Sequence, residues 1–467
     1  MKKIKFTLVT LLLILTASLR SQEARITLDK SKKIESTFSG DINQESTIHL
    51  IINKDKKTKF YEVITLFYDE NDQIIQLEPL SFKKKPEIIS YHLNKEKTTL
   101  TVLFNMEISR ERYALSIVDY DLITRENTTK HLTNFIKPNL IFKLPNKSIF
   151  INTKEGKGDV ELLIIENSTS ISNIQIAPTS KQKSKFETIF KSGIDAINTN
   201  EYVEYGSFSP CKAYFLNDLL KFAHVDKKTG ELILLTINIH QPDKLFFTSL
   251  PSNNFAKIKD TNFYLFDNKI FQLFHTKSNV YLKVTDIKTK NILFDIDVTN
   301  ELAKRYDPKE IKRYISKTAK SFYSPTITVN ASIEENMVMN IGYVDNRIYH
   351  YYHDWWFQHW MWQQTFMQPP TVNLPSFGPN PEKYDLAYTP LINEQPFQLV
   401  INSNFEMVEN ASLETVRRNI DKDKYRKRLD SNANINYSSL AFTANSARSI
   451  YLVKDQNTFI ISKSDYE

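Results

Sequence analysis

The chain has 467 residues, 61 Lys and Arg against 54 Asp and Glu, and is 41% hydrophobic and 25% charged. That length suits two or three domains or one repeat architecture, and the composition excludes wholesale disorder. Eight glycines, far below the usual roughly 7%, argue against Gly-rich nucleotide folds, and the single Cys211 excludes an intrachain disulfide framework or a Cys-rich metal centre.

Met1 to Lys5 is basic, and Phe6 to Leu19 is an apolar run of secretory h-region length, short for a membrane span. The pattern predicts a signal peptide over 1–21 and a mature chain that begins at Gln22. No Cys follows the run, so a lipoprotein anchor is not expected, and no second long apolar segment predicts a span in the mature chain. The expected location is exported: periplasmic, cell-surface or extracellular. The leader takes Lys2, Lys3, Lys5 and Arg20 with it and no acid. The small positive excess that remains does not predict a nucleic-acid partner.

From Arg25 to about Val298 the text alternates with period two, the mark of strands whose successive side chains point to opposite faces. Strand pairs recur. Ser46 to Asn53 precedes Tyr61 to Tyr68, and Thr99 to Phe104 precedes Tyr113 to Asp119. Ser148 to Thr153 precedes Glu161 to Ile165, Leu220 to Val225 precedes Glu231 to Thr236, and Lys269 to Phe274 precedes Tyr281 to Asp286. The second strands begin at Tyr61, Tyr113, Glu161, Glu231 and Tyr281, a repeat of about 50 residues with one longer step. The longer step holds an insertion, Phe186 to Pro210. In the fifth unit four strands are legible: Phe263–Phe266, Ile270–Phe274, Val280–Asp286 and Ile292–Ile296. Four antiparallel strands per 40–50 residues is the pattern of a β-propeller blade.

The turns are rich in Asp, Asn and Lys, as in Asp226 to Gly230 and Asp286 to Lys290. Asp and Asn tolerate left-handed turn geometry and bond the nearby backbone, which partly offsets scarce Gly. In its strand spacing and these D-x-K-T-G/K turns, the chain resembles large secreted propeller-like proteins of Bacteroidetes. The resemblance implies a propeller fold and no particular activity. Trp-Asp, kelch-type Gly and sialidase Asp-box signatures are absent. Two stacked β-sandwiches are the other fold compatible with the pattern.

Asp307-Pro308-Lys309-Glu310 reads as a helix start with N-cap, proline and acid, followed by Ile311, Tyr314, Ile315 and Thr318 at helical spacing. A second helix is expected over Leu413 to Leu429. Both read as surface connectors. Arg25 to Leu28 and Thr458 to Ser462 are strand-like, and pairing them would close a ring without an exposed edge.

Tyr349 to Trp362 is the outlier, with all four Trp of the protein between 355 and 362. Pro-rich sequence follows, so the region of about 345–390 reads as a long loop insertion in a late blade. Its Tyr351, Tyr352, Trp355, Trp356, Trp360 and Trp362 are candidates for docking a protein or a glycan. His350, His353 and His359, beside Asp354, are candidate ligands for Zn²⁺ or Cu²⁺, although their spacing matches no standard motif. The same residues could serve as a hydrophobic lid over the propeller or meet a membrane surface.

Chemistry is sparse elsewhere. G-x-S-x-G, Walker and H-E-x-x-H motifs are absent, no catalytic residue is nominated, and no cofactor is required. Asp119/Asp121 and Asp295/Asp297 are acid pairs on one strand face, but they stand at strand ends, where turn acids are common. Cys211 reads as a buried free thiol. The cations from Arg417 to Arg428 read as a solvated helix face.

The expectation is therefore an all-β propeller over 22–467, of six to eight four-stranded blades with seven preferred, carrying two short surface helices and the aromatic insertion. Its expected role is non-catalytic binding or scaffolding in the cell envelope, with an envelope protein or glycan as partner. The alternative is a polysaccharide hydrolase or lyase on the same scaffold.

Overall fold

The computed structural model describes residues 24–466, leaving out 110–111, 137, 154–159, 192, 198, 200–205, 252–256, 333, 346–395, 409–424, 426–427, 430 and 455. The period-two stretches form strands throughout. After β1 (Ala24–Thr27), a first sheet holds β2 (Lys32–Ile42), β3 (Ser46–Asp55), β4 (Tyr61–Tyr68) and β5 (Ile74–Gln76), with β6 (Leu80–Phe82) also on β4. The second holds β7 (Glu87–Leu93), β8 (Thr99–Ser109), β9 (Arg112–Asp121) and β10 (Asn127–Phe135). The third holds β11 (Leu140–Lys143), β12 (Ser148–Thr153), β13 (Val160–Ile165) and β14 (Ile171–Ile176).

Helix α1 (Lys183–Phe190) then precedes a fourth sheet of β15 (Ile194–Ile197), β16 (Cys211–Leu216), β17 (Leu219–Val225), β18 (Leu232–Asn238) and β19 (Gln241–Leu250). The fifth holds β20 (Asp260–Phe266), β21 (Lys269–His275), β22 (Val280–Asp286) and β23 (Ile292–Asp297). Helices α2 (Val298–Ala303) and α3 (Pro308–Thr318) lead into the sixth, β24 (Tyr323–Ala331), β25 (Met337–Asp345) and β26 (Phe397–Ile401). The seventh holds β27 (Ile435–Phe442), β28 (Ser446–Val453) and β29 (Thr458–Asp465), with β1 as its outer strand.

This is a β-propeller fold, with seven sheets among the described residues. The first strands of neighbouring sheets lie side by side, β2 with β27, β7 with β11, β11 with β15 and β20 with β24. The ends of the chain meet in one sheet, where β1 pairs antiparallel with β29 from Ala24↔Ile461 to Thr27↔Thr458. The expected strand starts at Tyr61, Tyr113, Glu161, Glu231 and Tyr281 fall at, or within one residue of, the starts of β4, β9, β13, β18 and β22.

Not every sheet is four-stranded. The insertion over 186–210 supplies the end of α1 and β15, which runs parallel to β16 and makes the fourth sheet five-stranded. The sixth has three strands among the described residues.

Each interior sheet is covered on both faces, so alternation sorts side chains between two neighbours rather than between core and water. On β3, Ile48, Leu50 and Ile52 join the core shared with the second sheet. Ile51 joins the core shared with Ile450, Phe459 and Ile461 of the seventh. Burying such a side chain is worth about 1.5–3 kcal/mol. Outer strands keep a wet face: β14 and β19 alternate with exposed residues, whereas all of β25 is buried.

Gly40 sits where a Cβ would stand 1.9 Å from the Tyr91 hydroxyl, so β2 and β7 approach closely only without a side chain there. Four turns follow one plan. Asp55, Asp121, Asp226 and Asp286 each accept backbone N–H groups from the residues that follow. The left-handed position is not the Asp but the fifth residue: Lys59, Arg125, Gly230 and Lys290, with φ of 63°, 67°, 73° and 61°. Both expectations for Asp and Asn hold: in these four turns the Asp bonds the nearby backbone, and elsewhere Asn43, Asp72, Asn217, Asp218, Asp267 and Asn457 take the left-handed position.

Helix α3 starts as the sequence predicts, with Asp307 accepting from the Lys309 N–H and Pro308 in the first turn. It is more than a surface connector, because Ile311, Tyr314 and Thr318 are buried. The Tyr314 ring packs edge-on against Phe397, and its hydroxyl lies 3.1 Å from His275 Nε2. The helix expected over 413–429 falls almost wholly outside the described residues.

Candidate functional site

The aromatic candidates Tyr351, Tyr352, Trp355, Trp356, Trp360 and Trp362, and the candidate ligands His350, His353 and His359, lie outside the described residues. Their anchorage is described. The segment leaves β25 and returns in β26, which pair antiparallel from Met337↔Ile401 to Ile341↔Phe397. Both ends are thus held by adjacent, well-buried strands of one sheet.

The acid pairs are structural. Asp119 accepts from the Thr101 hydroxyl and the Ser168 N–H, each at 2.7 Å. Asp121 accepts the Ile123 and Thr124 N–H groups, which hold its carboxyl below the usual range. Asp297 caps α2 through the Thr299 and Asn300 N–H groups. Asp295 lies opposite Lys283 in the β22–β23 register. Cys211 is fully buried, and burial pushes its thiol up, away from the reactive thiolate.

The structure adds a cluster that the sequence reading missed. Along β16, Cys211 and Ala213 face the core shared with the third sheet, while Tyr214 joins the core shared with the fifth. Lys212, on the same face as Tyr214, is therefore inside the protein. Its Nζ donates to Asn262 Oδ1 at 2.8 Å and to the Phe263 carbonyl, and lies 4.6 Å from the Phe263 ring centre. Asn262 Nδ2 donates to the Ser207 carbonyl at 3.0 Å and the Pro325 carbonyl at 2.9 Å. Asp195, opposite Lys212 in the β15–β16 register, accepts the Ser207 hydroxyl. One group of side chains thereby ties the fourth, fifth and sixth sheets together.

Burial pulls the Lys212 ammonium down to about 7, against the opposing charge of Asp195. Burial raises the Asp195 carboxyl, with Ser207 and Lys212 acting the other way. Perturbed titrating groups gathered at one place mark a site where chemistry is possible. Among the described residues, no group of His, Cys, Asp and Glu is arranged to hold a metal ion.

Two further polar groups sit between sheets. Ser39 Oγ lies 2.7 Å from His49 Nδ1 and 2.7 Å from Ser439 Oγ, across the seam between the first and seventh sheets. His92 lies 3.0 Å from Ser148 Oγ and 2.9 Å from the Glu166 carbonyl, between the second and third. The signal for all of them was a polar residue at an alternate position in a strand whose two faces are both covered.

No protein-family description matches the chain, and no curated protein matches it. Among solved structures, the β-propeller domain of the Trilobed protease from Pyrococcus furiosus is similar at 7% identity, over 94% of this chain and 96% of that one, with a TM-score of 0.33. The WD40 domain of SCAP from fission yeast is similar at 7% identity, over 95% and 98%, with a TM-score of 0.30. A variant of Synechocystis apocarotenoid oxygenase is similar at 8% identity, over 58% and 63%, with a TM-score of 0.28. Such distant likeness concerns the fold alone.

Proposed function

We propose that the chain is an exported, non-catalytic binding or scaffold protein of the cell envelope that docks an envelope protein or glycan through its aromatic insertion. The propeller is a scaffold that suits binding, and no helix among the described residues is long and apolar enough to cross a membrane. The observation that carries the reading is the anchorage of the insertion on paired β25 and β26, together with all four Trp of the protein lying between 355 and 362. Aromatic side chains bury about 150–250 Å² each, more surface than a short segment can hide against itself. The basic and apolar stretches over 1–21 support export. The hydrolase reading gains nothing from Asp119, Asp121 and Asp297, whose carboxylates are engaged by Thr101 and Ser168, by a turn and by a helix cap.

The test replaces Trp355, Trp356, Trp360 and Trp362 by Ala in the full chain. Docking predicts unchanged melting, lost binding to purified envelope glycan or protein fractions, and Trp emission in the parent protein that acrylamide quenches. A quencher-inaccessible, blue-shifted emission together with several kcal/mol of lost stability would mean a lid over the propeller instead, since a fully buried Trp is worth about 3–5 kcal/mol.

A further inference from the structure

Lys212 of β16 and Asn262 of β20 belong to different sheets, yet Nζ and Oδ1 are 2.8 Å apart. A carbonyl bond is about 1.2 Å long, so the Asn262 Cγ carbon lies within about 4 Å of the amine. Both residues are shut off from solvent, at 0% and 2% exposure. The carboxamide is held in place by two backbone acceptors, the Ser207 and Pro325 carbonyls. Ser207 also donates its hydroxyl to Asp195, which stands beside Lys212 in register. The two ends of one serine thus connect the acid to the amide.

We propose that Lys212 and Asn262 join covalently in an intramolecular isopeptide bond that staples the fourth sheet to the fifth, with Asp195 as the nearby negative charge that assists it. The Nζ lone pair attacks Asn262 Cγ and a C–N bond forms. The Cγ–Nδ2 bond breaks, and one ammonia leaves. One proton passes from the attacking nitrogen to the departing one while both are attached to Asn262 Cγ. The step consumes no oxidant, reductant or cofactor.

Four physical features favour it. The amine must be neutral to attack, and burial brings the Lys212 ammonium to about 7, where a large share is free base near neutral pH. The Asp195 charge favours positive charge on the Lys212 nitrogen, such as develops there during attack. The reactants are held by the fold, which removes the entropy cost of their encounter. The two carbonyls already bonded to Nδ2 accept the N–H groups of the leaving nitrogen, and the dry surroundings keep water from competing.

The deciding measurement is peptide mapping of the folded full-length protein by mass spectrometry. The expected result is a branched peptide joining Lys212 to Asn262, one ammonia lighter than its two parts, with no tryptic cut after Lys212. An N-terminal Gln22 that cyclises would also lose ammonia, so the branched peptide and not the intact mass decides. Lys212→Arg should give two linear peptides. Asp195→Asn, close in shape, removes that charge and should slow bond formation about a hundredfold while leaving the circular dichroism unchanged. Should Lys212→Arg fail to fold, the wild-type map is sufficient by itself. Separate linear peptides carrying intact Lys212 and Asn262, from folded wild-type protein, overturn the proposal.

Discussion

Thr27 and Thr458 face each other across the β1–β29 pair with their hydroxyls 3.2 Å apart, although they come from opposite ends of the sequence. The join continues beyond them, where the Leu28 N–H donates to the Asn457 carbonyl and Asn457 Nδ2 donates to the Leu28 carbonyl. Phe459 and Ile461 of the same strand are 0% and 1% exposed. Deleting 456–467 would strip β28 and β1 of their common partner and uncover the core against the first sheet. The expected outcome is loss of cooperative thermal unfolding for the whole chain. Phe459→Ala is the milder form, with about 3–5 kcal/mol lost in denaturant unfolding. A truncated chain that melts like the parent would refute closure at this seam.

Acid should weaken the fold well before the carboxylates titrate. Burial pulls His49 down to about 3, with the Arg448 charge acting in the same direction. Burial brings His92 to about 4 and His275 to about 3. In the unfolded chain a histidine titrates near 6.5, so the unfolded state takes up protons that the native state refuses. Stability is therefore full above about pH 6.5 and falls as pH drops toward 4, by up to about 1.4 kcal/mol per pH unit for each histidine. Urea unfolding between pH 7.5 and 4.5 measures the slope, and His275→Asn should lower it by one histidine's share. An unchanged slope in that variant would show that His275 does not stay neutral inside.

The turn carboxylates act in a lower window. Backbone N–H groups hold Asp55, Asp121 and Asp286 below their ordinary value. They support the fold above about pH 3.8 and lose that support as pH falls through their lowered values. Asp121→Asn should flatten the stability curve below pH 4 and leave the histidine region untouched.

The fifth residue of the four Asp turns offers a test of backbone strain. Lys59, Arg125 and Lys290 are left-handed, and Gly230 takes the same conformation. An L residue there costs roughly 1–2 kcal/mol, of which the greater unfolded freedom of Gly returns about 0.4–1. Lys59→Gly, Arg125→Gly and Lys290→Gly should each stabilise by about 0.5–1 kcal/mol. Gly230→Lys should destabilise, and by more than strain alone, because a Cβ there would meet Phe274 Cε1 at 2.6 Å. Chemical denaturation of the four variants checks the set, and destabilised glycine variants would contradict it.

Gly40 and Tyr91 form a coupled pair. A methyl group at position 40 would overlap the Tyr91 hydroxyl at 1.9 Å and its Cζ at 2.5 Å. That hydroxyl also receives Lys143 Nζ at 2.9 Å, so the ring is tied to β11 as well as packed on β2. Gly40→Ala should cost about 1–3 kcal/mol by overpacking. Combined with Tyr91→Leu, the two losses should fall short of their sum, and a double-mutant cycle reads the difference. Additive losses would mean that the two positions do not meet.

The β-propeller was legible because its signals are local. Period two shows in the sequence wherever a strand has a face to sort, and starts such as Tyr61 and Tyr281 stand within one residue of observed strand starts. Asp307-Pro308 is a local cap and was read as one. The strand character of both chain ends also suggested their pairing. The destination of each face was not legible. A strand such as Cys211–Leu216 looks half-buried by its alternation, with Lys212 toward water. In a propeller a second sheet covers that side, so Lys212 is inside and must find Asn262, far along the chain. Ser39 with Ser439, and His92 with Ser148, are the same case. The parallel pairing of β15 likewise needed the assembled fourth sheet. Alternation is a property of one strand, whereas what lies across each face depends on how neighbouring sheets stack. The sequence alone determined the elements and their order, and the tertiary structure decided which polar groups became buried partners, because only packing removes the water they would otherwise bind.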